Sequence, residues 1–203
     1  MDQSKIWDEL YGSKLTWHYD TDFSGDVKGK RVLELGVGTG KTLRALIKKD
    51  PKEIIAVDFS AKAVNESKIL ESYNVKVIKA DATKLPFEDK FDVIVCNYVL
   101  NNMLESERKK AVKEMKRLLA ENGKIYFEDF AVGDLRQESG KKVEKNTFVK
   151  DNGLICHFFD EEEIKKLFKG FKIKIKTESF KPFRALKEKR VIMGAIIAKK
   201  DKV

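Results

Sequence analysis

The chain is short of the residues that build covalent staples and metal clamps. Its 203 residues include two cysteines and two histidines. Cys96 lies inside an apolar run and Cys156 stands apart from it, which excludes a disulfide framework and a C-x-x-C metal clamp. A reducing cytoplasm is the simplest compartment for such a chain. His18 and His157 complete no Ser-His-Asp set and no metal cluster, so no metal is expected. No stretch approaches the roughly 20 apolar residues that cross a bilayer. The start, Met-Asp-Gln-Ser-Lys, lacks the apolar region of a secretory signal. Repeats and low-complexity tracts are missing as well. What is left is one domain's length with 42% hydrophobic residues, enough for a proper core.

Arginine is also scarce, at seven of the 42 basic residues. Residues 1–140 hold 24 Lys+Arg against 24 Asp+Glu, whereas residues 141–203 hold 18 against 9. The entire net charge of +9 therefore belongs to the last third. Such asymmetry marks a surface that faces a polyanion. A surface rich in Lys and Glu equally suits a heat-adapted protein. Both readings stand at this point.

The most informative stretch runs from Arg31 to Thr42. Val32, Leu33 and Leu35 read as a buried strand, Gly36, Gly38 and Gly40 as a turn, and Thr42 to Ile47 as the opening of a helix. Alternate glycines let a ligand approach bare main chain, and the helix behind them supplies free N–H groups and a positive dipole end. A strand, a bare turn and a helix start make a nucleotide-shaped site. Dinucleotide folds want G-x-G-x-x-G, and here the third glycine comes one residue early. A phosphate-cradling P-loop wants G-x-x-x-x-G-K-[ST]; Gly40-Lys41-Thr42 supplies its tail, but its first glycine falls on Leu35. That loop remains a remote rival.

Strand and helix alternate along the first two thirds. Strands are expected at 31–36, 53–58, 75–80, 91–97 and 124–129, as apolar runs covered on both faces. Helices are expected at 3–11, 40–49, 61–73 and 105–121, with Ser60 capping the third and Gly123 stopping the fourth. Residues 131–158 read as an irregular insertion, followed by a helix at 160–169 and strands at 171–176 and 191–198. The fold class is α/β: a doubly wound, mostly parallel seven-stranded sheet with helices on both faces. The chain is one domain, 1–203, with an N-terminal helix and aromatic lid at 1–25 and a substrate-side insertion at 131–158.

Ligands of such sheets bind beyond the carboxyl ends of the strands. Asp58 ends strand two, eighteen residues after Gly40, where a carboxylate accepts both hydroxyls of a ribose; Phe59 follows it. Asp81-Ala82 ends strand three, where an acceptor takes a proton from an adenine amino group. Asn97 and Tyr98 end strand four, and Glu34 lies under the turn, suited to the ammonium of an amino-acid tail. Glu128-Asp129 ends strand five and could hold or deprotonate a substrate. Trp17, Tyr19, Tyr98, Phe158 and Phe159 offer rings for a planar acceptor, and His157 borders the same region. Lys181 and Arg184 lie in the basic third, where phosphate contacts are expected, along with Lys187.

Glu34 followed by Gly36, Gly38 and Gly40, then Asp58, Asp81-Ala82, and Leu85-Pro86-Phe87 with Phe91-Asp92-Val93, resembles the class I S-adenosylmethionine-dependent methyltransferases. The resemblance covers about residues 5–130. It implies a Rossmann-like sheet of order 3-2-1-4-5-7-6 with the last strand antiparallel, and S-adenosylmethionine as cofactor. It implies Glu34, Gly36, Gly38, Gly40, Asp58, Phe59, Asp81, Ala82 and Asn97 as cofactor-binding residues. The signature Asn-Pro-Pro-Tyr of amide and exocyclic-amine methylation is replaced here by Asn97-Tyr98-Val99-Leu100.

The last third carries a second, partial resemblance. Asp129, Phe148, Val149, Asp151 or Gly153, Phe158 and Phe159 are similar to a eukaryotic subgroup that makes 3-methylcytidine in tRNA. The subgroup has Arg where this chain has Glu128. It implies a methyl acceptor that is tRNA, with Asp129, Tyr98 and His157 as catalytic candidates and Trp17, Tyr19, Phe158, Phe159, Lys181 and Arg184 as substrate-binding candidates. A small metabolite or a protein side chain is the alternative acceptor, and a non-enzymatic cofactor-binding regulator is the third class.

Overall fold

The computed structural model describes residues 3–13, 22–181 and 189–200. Seven strands form one sheet: β1 (Arg31–Leu35), β2 (Glu53–Asp58), β3 (Val75–Lys79), β4 (Phe91–Asn97), β5 (Leu119–Phe130), β9 (Phe171–Phe180) and β10 (Arg190–Lys199). Their spatial order is β3-β2-β1-β4-β5-β10-β9. Each of the first four pairings is parallel, and β10 runs antiparallel to both β5 and β9. With β9 and β10 counted as the sixth and seventh strands, this is the expected order 3-2-1-4-5-7-6.

Helices cover both faces. On one side Leu33, Leu35, Ile94 and Cys96 pack against Ala111, Met115 and Leu118 of α4 (Glu105–Leu118) and Ile164 of α5 (Glu161–Leu167). On the other, Val32, Ile54 and Val93 pack against Leu43 and Leu46 of α2 (Lys41–Ile47) and Val64 of α3 (Ala61–Ser67). Alternate residues along each strand thus feed opposite layers, so the central strands are apolar throughout. Ser60 caps α3 by accepting the Ala63 amide at 3.1 Å, and Asp160 caps α5 by accepting the Glu163 amide at 2.8 Å.

Two sequence expectations need correction. α4 ends at Leu118, not at residue 121, and the chain from Leu119 is already extended, with Leu119 paired to Phe91. Leu119 is fully buried, and its packing outweighs the helical pattern of its neighbours. The segment 131–158 is not irregular. It holds a second antiparallel sheet of β6 (Lys141–Glu144), β7 (Thr147–Val149) and β8 (Ile155–His157), too short to show a clear alternation. α1 (Gln3–Gly12) joins this sheet to the main body. Gln3 donates to the Gly153 carbonyl at 3.1 Å and accepts from the Ile155 amide at 3.3 Å. Five residues on, Asp8 accepts the Ser60 hydroxyl at 2.5 Å and the Lys62 amide at 3.2 Å.

Candidate cofactor and acceptor site

The turn after β1 is shaped for bare backbone. Gly36 has φ +71°, and a Cβ there would lie 2.4 Å from Val99 Cγ2. Gly38 has φ +52°, and a Cβ there would lie 2.9 Å from the Tyr11 hydroxyl oxygen. Both positions therefore need glycine for conformation and for space. The first contact brings the end of β4 against the turn, and the second lays α1 across it.

Asp58 ties the turn to β2. Its carboxylate accepts the Gly38 amide at 2.9 Å through one oxygen and the Ser60 amide at 2.9 Å through the other. Burial pushes its pKa up, while the amides of Ser60, Gly38 and Phe59 oppose that rise. Asp81 sits next along the edge, because the Ala80 amide donates to the Asp58 carbonyl at 2.9 Å. Its side chain is exposed and accepts the Thr83 amide at 2.8 Å, with Ala82 buried behind it. Asn97 is half-buried at the end of β4.

Glu34 supplies the strongest sign of a missing partner. It is 2% exposed, and among the described residues its Oε2 has no hydrogen-bond donor. Burial raises its carboxyl well above the ordinary range, the Asp58 charge adds to the rise, and the Leu43 amide opposes it. An unpartnered buried carboxylate oxygen costs about 1–3 kcal/mol, more if charged, so such an atom calls for a bound donor. Trp7, in α1 above the turn, has a buried indole N–H that is likewise without an acceptor among the described residues.

The acceptor end is built differently. Tyr98 has φ +57°, which is a strained setting for an aromatic residue at the end of a central strand. Its amide donates to the Glu128 carbonyl at 2.8 Å, and its ring lies 5.3 Å from Phe130. Burial, followed by the Glu128 charge, pushes the phenol up, so it stays protonated. Asp129 is fully buried. It accepts the Asn101 side-chain amide at 2.6 Å, the Asn101 backbone amide at 3.0 Å and the Phe130 amide at 2.9 Å. Burial pushes its pKa up to about 7 against these three donors.

Three acceptor-side expectations are corrected by burial. Phe158 and Phe159 are fully buried and line no open surface. Phe158 packs between Phe130 and Phe148, at 6.2 and 6.0 Å, and Phe159 stands edge-on to Phe127 at 5.1 Å. His157 is fully buried too, with one ring nitrogen 2.8 Å from the Thr147 hydroxyl and the other 2.8 Å from Glu163. Glu163 in turn meets the buried Arg108 at 3.1 Å, so this chain of contacts ties the small sheet to α4 and α5. His157 has no ring nitrogen left for a substrate. Asp129 holds the loop after β4 in shape through Asn101. Lys181 is exposed just after β9. Trp17, Tyr19, His18, Arg184 and Lys187 lie outside the described residues.

Sequence reasoning missed Asn101, Arg136 and Arg190. Arg136 stacks over the Phe130 ring at 4.4 Å, and Arg190 lies 5.2 Å from the same ring. Their one signal was the scarcity of arginine in a chain rich in lysine.

With this geometry in place, comparison with known proteins is direct. Residues 26–172 match the family described as Methyltransferase domain, and the chain belongs to that family. Among curated relatives, the tRNA N(3)-methylcytidine methyltransferase Mettl2 of Drosophila melanogaster is 29% identical over 194 residues. That match covers 81% of this chain and 59% of the relative. O-methyltransferase 3 of Dictyostelium discoideum is 27% identical over 158 residues, covering 70% of this chain and 36% of that protein. The chain thus spans little more than half of the first relative and about a third of the second. A solved structure, the N-methyltransferase NodS of Bradyrhizobium japonicum WM9 in complex with S-adenosyl-L-homocysteine, superposes with a TM-score of 0.73. It shares 15% identity and covers 98% of this chain and 100% of its own, a likeness of fold.

Proposed function

We propose that the chain is an S-adenosylmethionine-dependent methyltransferase whose acceptor is a base nitrogen of tRNA. The cofactor half of this reading rests on one observation, the buried and unpartnered Oε2 of Glu34 beneath a turn that a Cβ would fill. Glu34 would take the ammonium of the cofactor's amino-acid tail, Asp58 the ribose hydroxyls and Asp81 the adenine amino group. Gly36, Gly38 and Gly40 would leave room for the chain between them, with Phe59, Ala82 and Asn97 along the edge. When bound, the cofactor supplies a methyl group already activated on sulfur, so the protein's task is alignment and exclusion of water. α1 excludes water here, pinned by Asp8 to α3 and by Gln3 to the small sheet.

The acceptor half rests on which groups remain free to act as a base. Tyr98 is held protonated, His157 has both ring nitrogens occupied, and Asp129 is fully buried on Asn101 and Phe130. An acceptor with its own lone pair at neutral pH, such as cytosine N3, needs none of them. A hydroxyl acceptor needs a base, so the similarity to an O-methyltransferase is the weaker guide. The basic last third suits phosphate contacts, and the two buried free cysteines suit a reducing cytoplasm. No helix among the described residues is long and apolar enough to cross a membrane.

The test is transfer of labelled methyl from S-adenosylmethionine to fractionated cell extract. Label in tRNA that disappears with ribonuclease and migrates as 3-methylcytidine after digestion is the expected result. Label that survives ribonuclease and runs as a small metabolite replaces the acceptor and keeps the methyltransferase. Calorimetry that shows ATP bound, and neither S-adenosylmethionine nor its demethylated product, removes the cofactor and returns the remote P-loop reading.

A further inference from the structure

At the acceptor end the charges do not balance. Arg136, Arg190 and Lys150 gather around the rings of Phe130, Phe148 and Phe158. Arg136 and Arg190 lie 4.4 and 5.2 Å from the Phe130 centroid, and Lys150 lies 5.6 and 5.5 Å from those of Phe148 and Phe158. Among the described residues one buried carboxylate, Asp134, faces the three cations. Its Oδ2 accepts Arg190 Nε and the Val191 amide, each at 2.8 Å, and its Oδ1 accepts the Arg136 backbone amide at 3.0 Å. Asp134 therefore neutralises Arg190 and touches Arg136 through main chain alone. The Lys150 ammonium is spent on the Arg136 carbonyl, the Ser139 carbonyl at 2.5 Å and the Ser139 hydroxyl at 2.9 Å. The Glu128 charge lies toward the Tyr98 phenol, and Asp129 is engaged by Asn101.

The Arg136 guanidinium is thus left over. Among the described residues it has no ion pair and no hydrogen bond; it is half-buried, with its Cζ 4.4 Å from the Phe130 centroid. Burial and then the neighbouring Arg190 charge lower its pKa, and the Asp134 charge offsets this only in part. A guanidinium stacked on a ring keeps its in-plane N–H fork directed outward, and that fork matches a phosphate or carboxylate edge. Arg136 and the strained Tyr98 at the end of β4 share one neighbour, the Phe130 ring, at 4.4 and 5.3 Å. Lys181 and Lys189 are exposed at the same end of β9 and β10, where Phe180 pairs with Arg190.

We propose that Arg136, backed by Arg190, forms an anion subsite that grips a phosphodiester next to the methyl-accepting nucleotide. The proposal rests on the RNA reading above and adds to it where the backbone of the RNA is held. Phe130 is the platform that fixes the guanidinium in place, and Asp134 sets the second arginine beside it. The anion removes the repulsion between the two guanidinium groups, so the subsite favours a charged ligand over a bare nucleoside.

The experiment compares wild type with Arg136→Met, which keeps the stem on Phe130, and Arg136→Lys, which keeps the charge without the fork. The probe is an unmodified tRNA transcript, with KM for methylation, equilibrium binding across salt, cofactor Kd and Tm measured for each protein. Arg136→Met is expected to raise KM by about 10–100-fold, the value of a lost charge-assisted contact. It should also flatten the plot of log K against log salt by about one unit. Cofactor Kd should hold, and Arg136→Lys should recover the salt slope with a KM between the two. If wild type methylates the transcript and Arg136→Met keeps its KM and salt slope, the subsite is wrong and the RNA reading stands. If Arg136→Met loses Tm and cofactor affinity together with RNA binding, the stack is structural and the proposal fails. If wild type methylates no transcript, the RNA reading fails and takes the subsite with it.

Discussion

The two ends of the site solve the same problem in opposite ways. On the cofactor side the chain leaves its valences open: a bare glycine turn, an exposed Asp81 and an unpartnered Glu34 oxygen. On the acceptor side almost every polar group near the strand ends is already spoken for inside the protein, His157 by Thr147 and Glu163, Asp129 by Asn101 and Phe130. The cofactor brings many hydrogen-bonding groups of its own, so the protein meets it with unmatched partners. A nitrogen acceptor brings a lone pair, and needs a rigid frame and an anchor for the rest of its molecule. The leftover group on that side is correspondingly a cation, Arg136.

The comparison is broken most severely at Gly38. Gly38→Val combines a positive φ with a branched side chain that would meet the Tyr11 hydroxyl. Cofactor affinity measured by calorimetry is expected to fall on the order of 100-fold or more, equivalent to several kcal/mol of strain and clash. Asp58→Ala comes next. It removes the proposed ribose acceptor and also frees the Gly38 and Ser60 amides, so affinity should fall about 10–100-fold and stability by about 1–3 kcal/mol. Unchanged cofactor Kd in a folded Asp58→Ala protein would show that the ribose lies elsewhere.

This contrast also decides what could be read before the fold was known. The proposed cofactor side could be read because its parts are local. Glu34 to Gly40 form one strand and turn, Asp58 ends β2, and Asp81 follows the end of β3 by two residues. The acceptor side depends on packing between distant segments. Phe158 and Phe159 look like rings for a planar substrate, yet the small sheet turns them into the core, where apolar burial outweighs any role at the surface. That sheet was itself hidden, since strands of four, three and three residues are too short for an alternating pattern to emerge. The helix end at Leu118 was missed for a related reason. Residues 119–122 have helical sequence, but Leu119 gains more from the core beside Phe91. Arg136 and Arg190 gave no periodicity to find, because they meet only at the ring of Phe130.

A gentler probe uses pH, and reports on the closed acceptor side alone. The pKa of Asp129 is raised to about 7 in the folded protein, chiefly by burial, against about 3.9 for a free aspartate. Between these values the folded state holds a proton that the unfolded chain has released. Its contribution to stability is therefore complete below about pH 4 and is lost as pH rises through about 7. Tm across that window should show a downward component in wild type that is missing from Asp129→Asn. Identical profiles would mean that the three donors around the carboxylate outweigh its burial and keep it ionised.

The smallest expected effect belongs to the exposed rim. Lys181 stands in solvent just past β9, at the end of the sheet that carries Arg190. A mobile ammonium there touches phosphate without a fixed geometry, and bulk salt screens it. Lys181→Glu should therefore weaken tRNA binding only about threefold near physiological salt, with a slightly shallower salt dependence. Cofactor affinity and Tm should stay as they are. The size of this effect relative to Arg136→Met tests whether the acceptor side anchors its ligand by a built contact or by diffuse charge. Equal losses at the two positions would favour diffuse charge, with the whole basic third acting as one screen. A loss confined to Arg136 would place the grip at that one guanidinium.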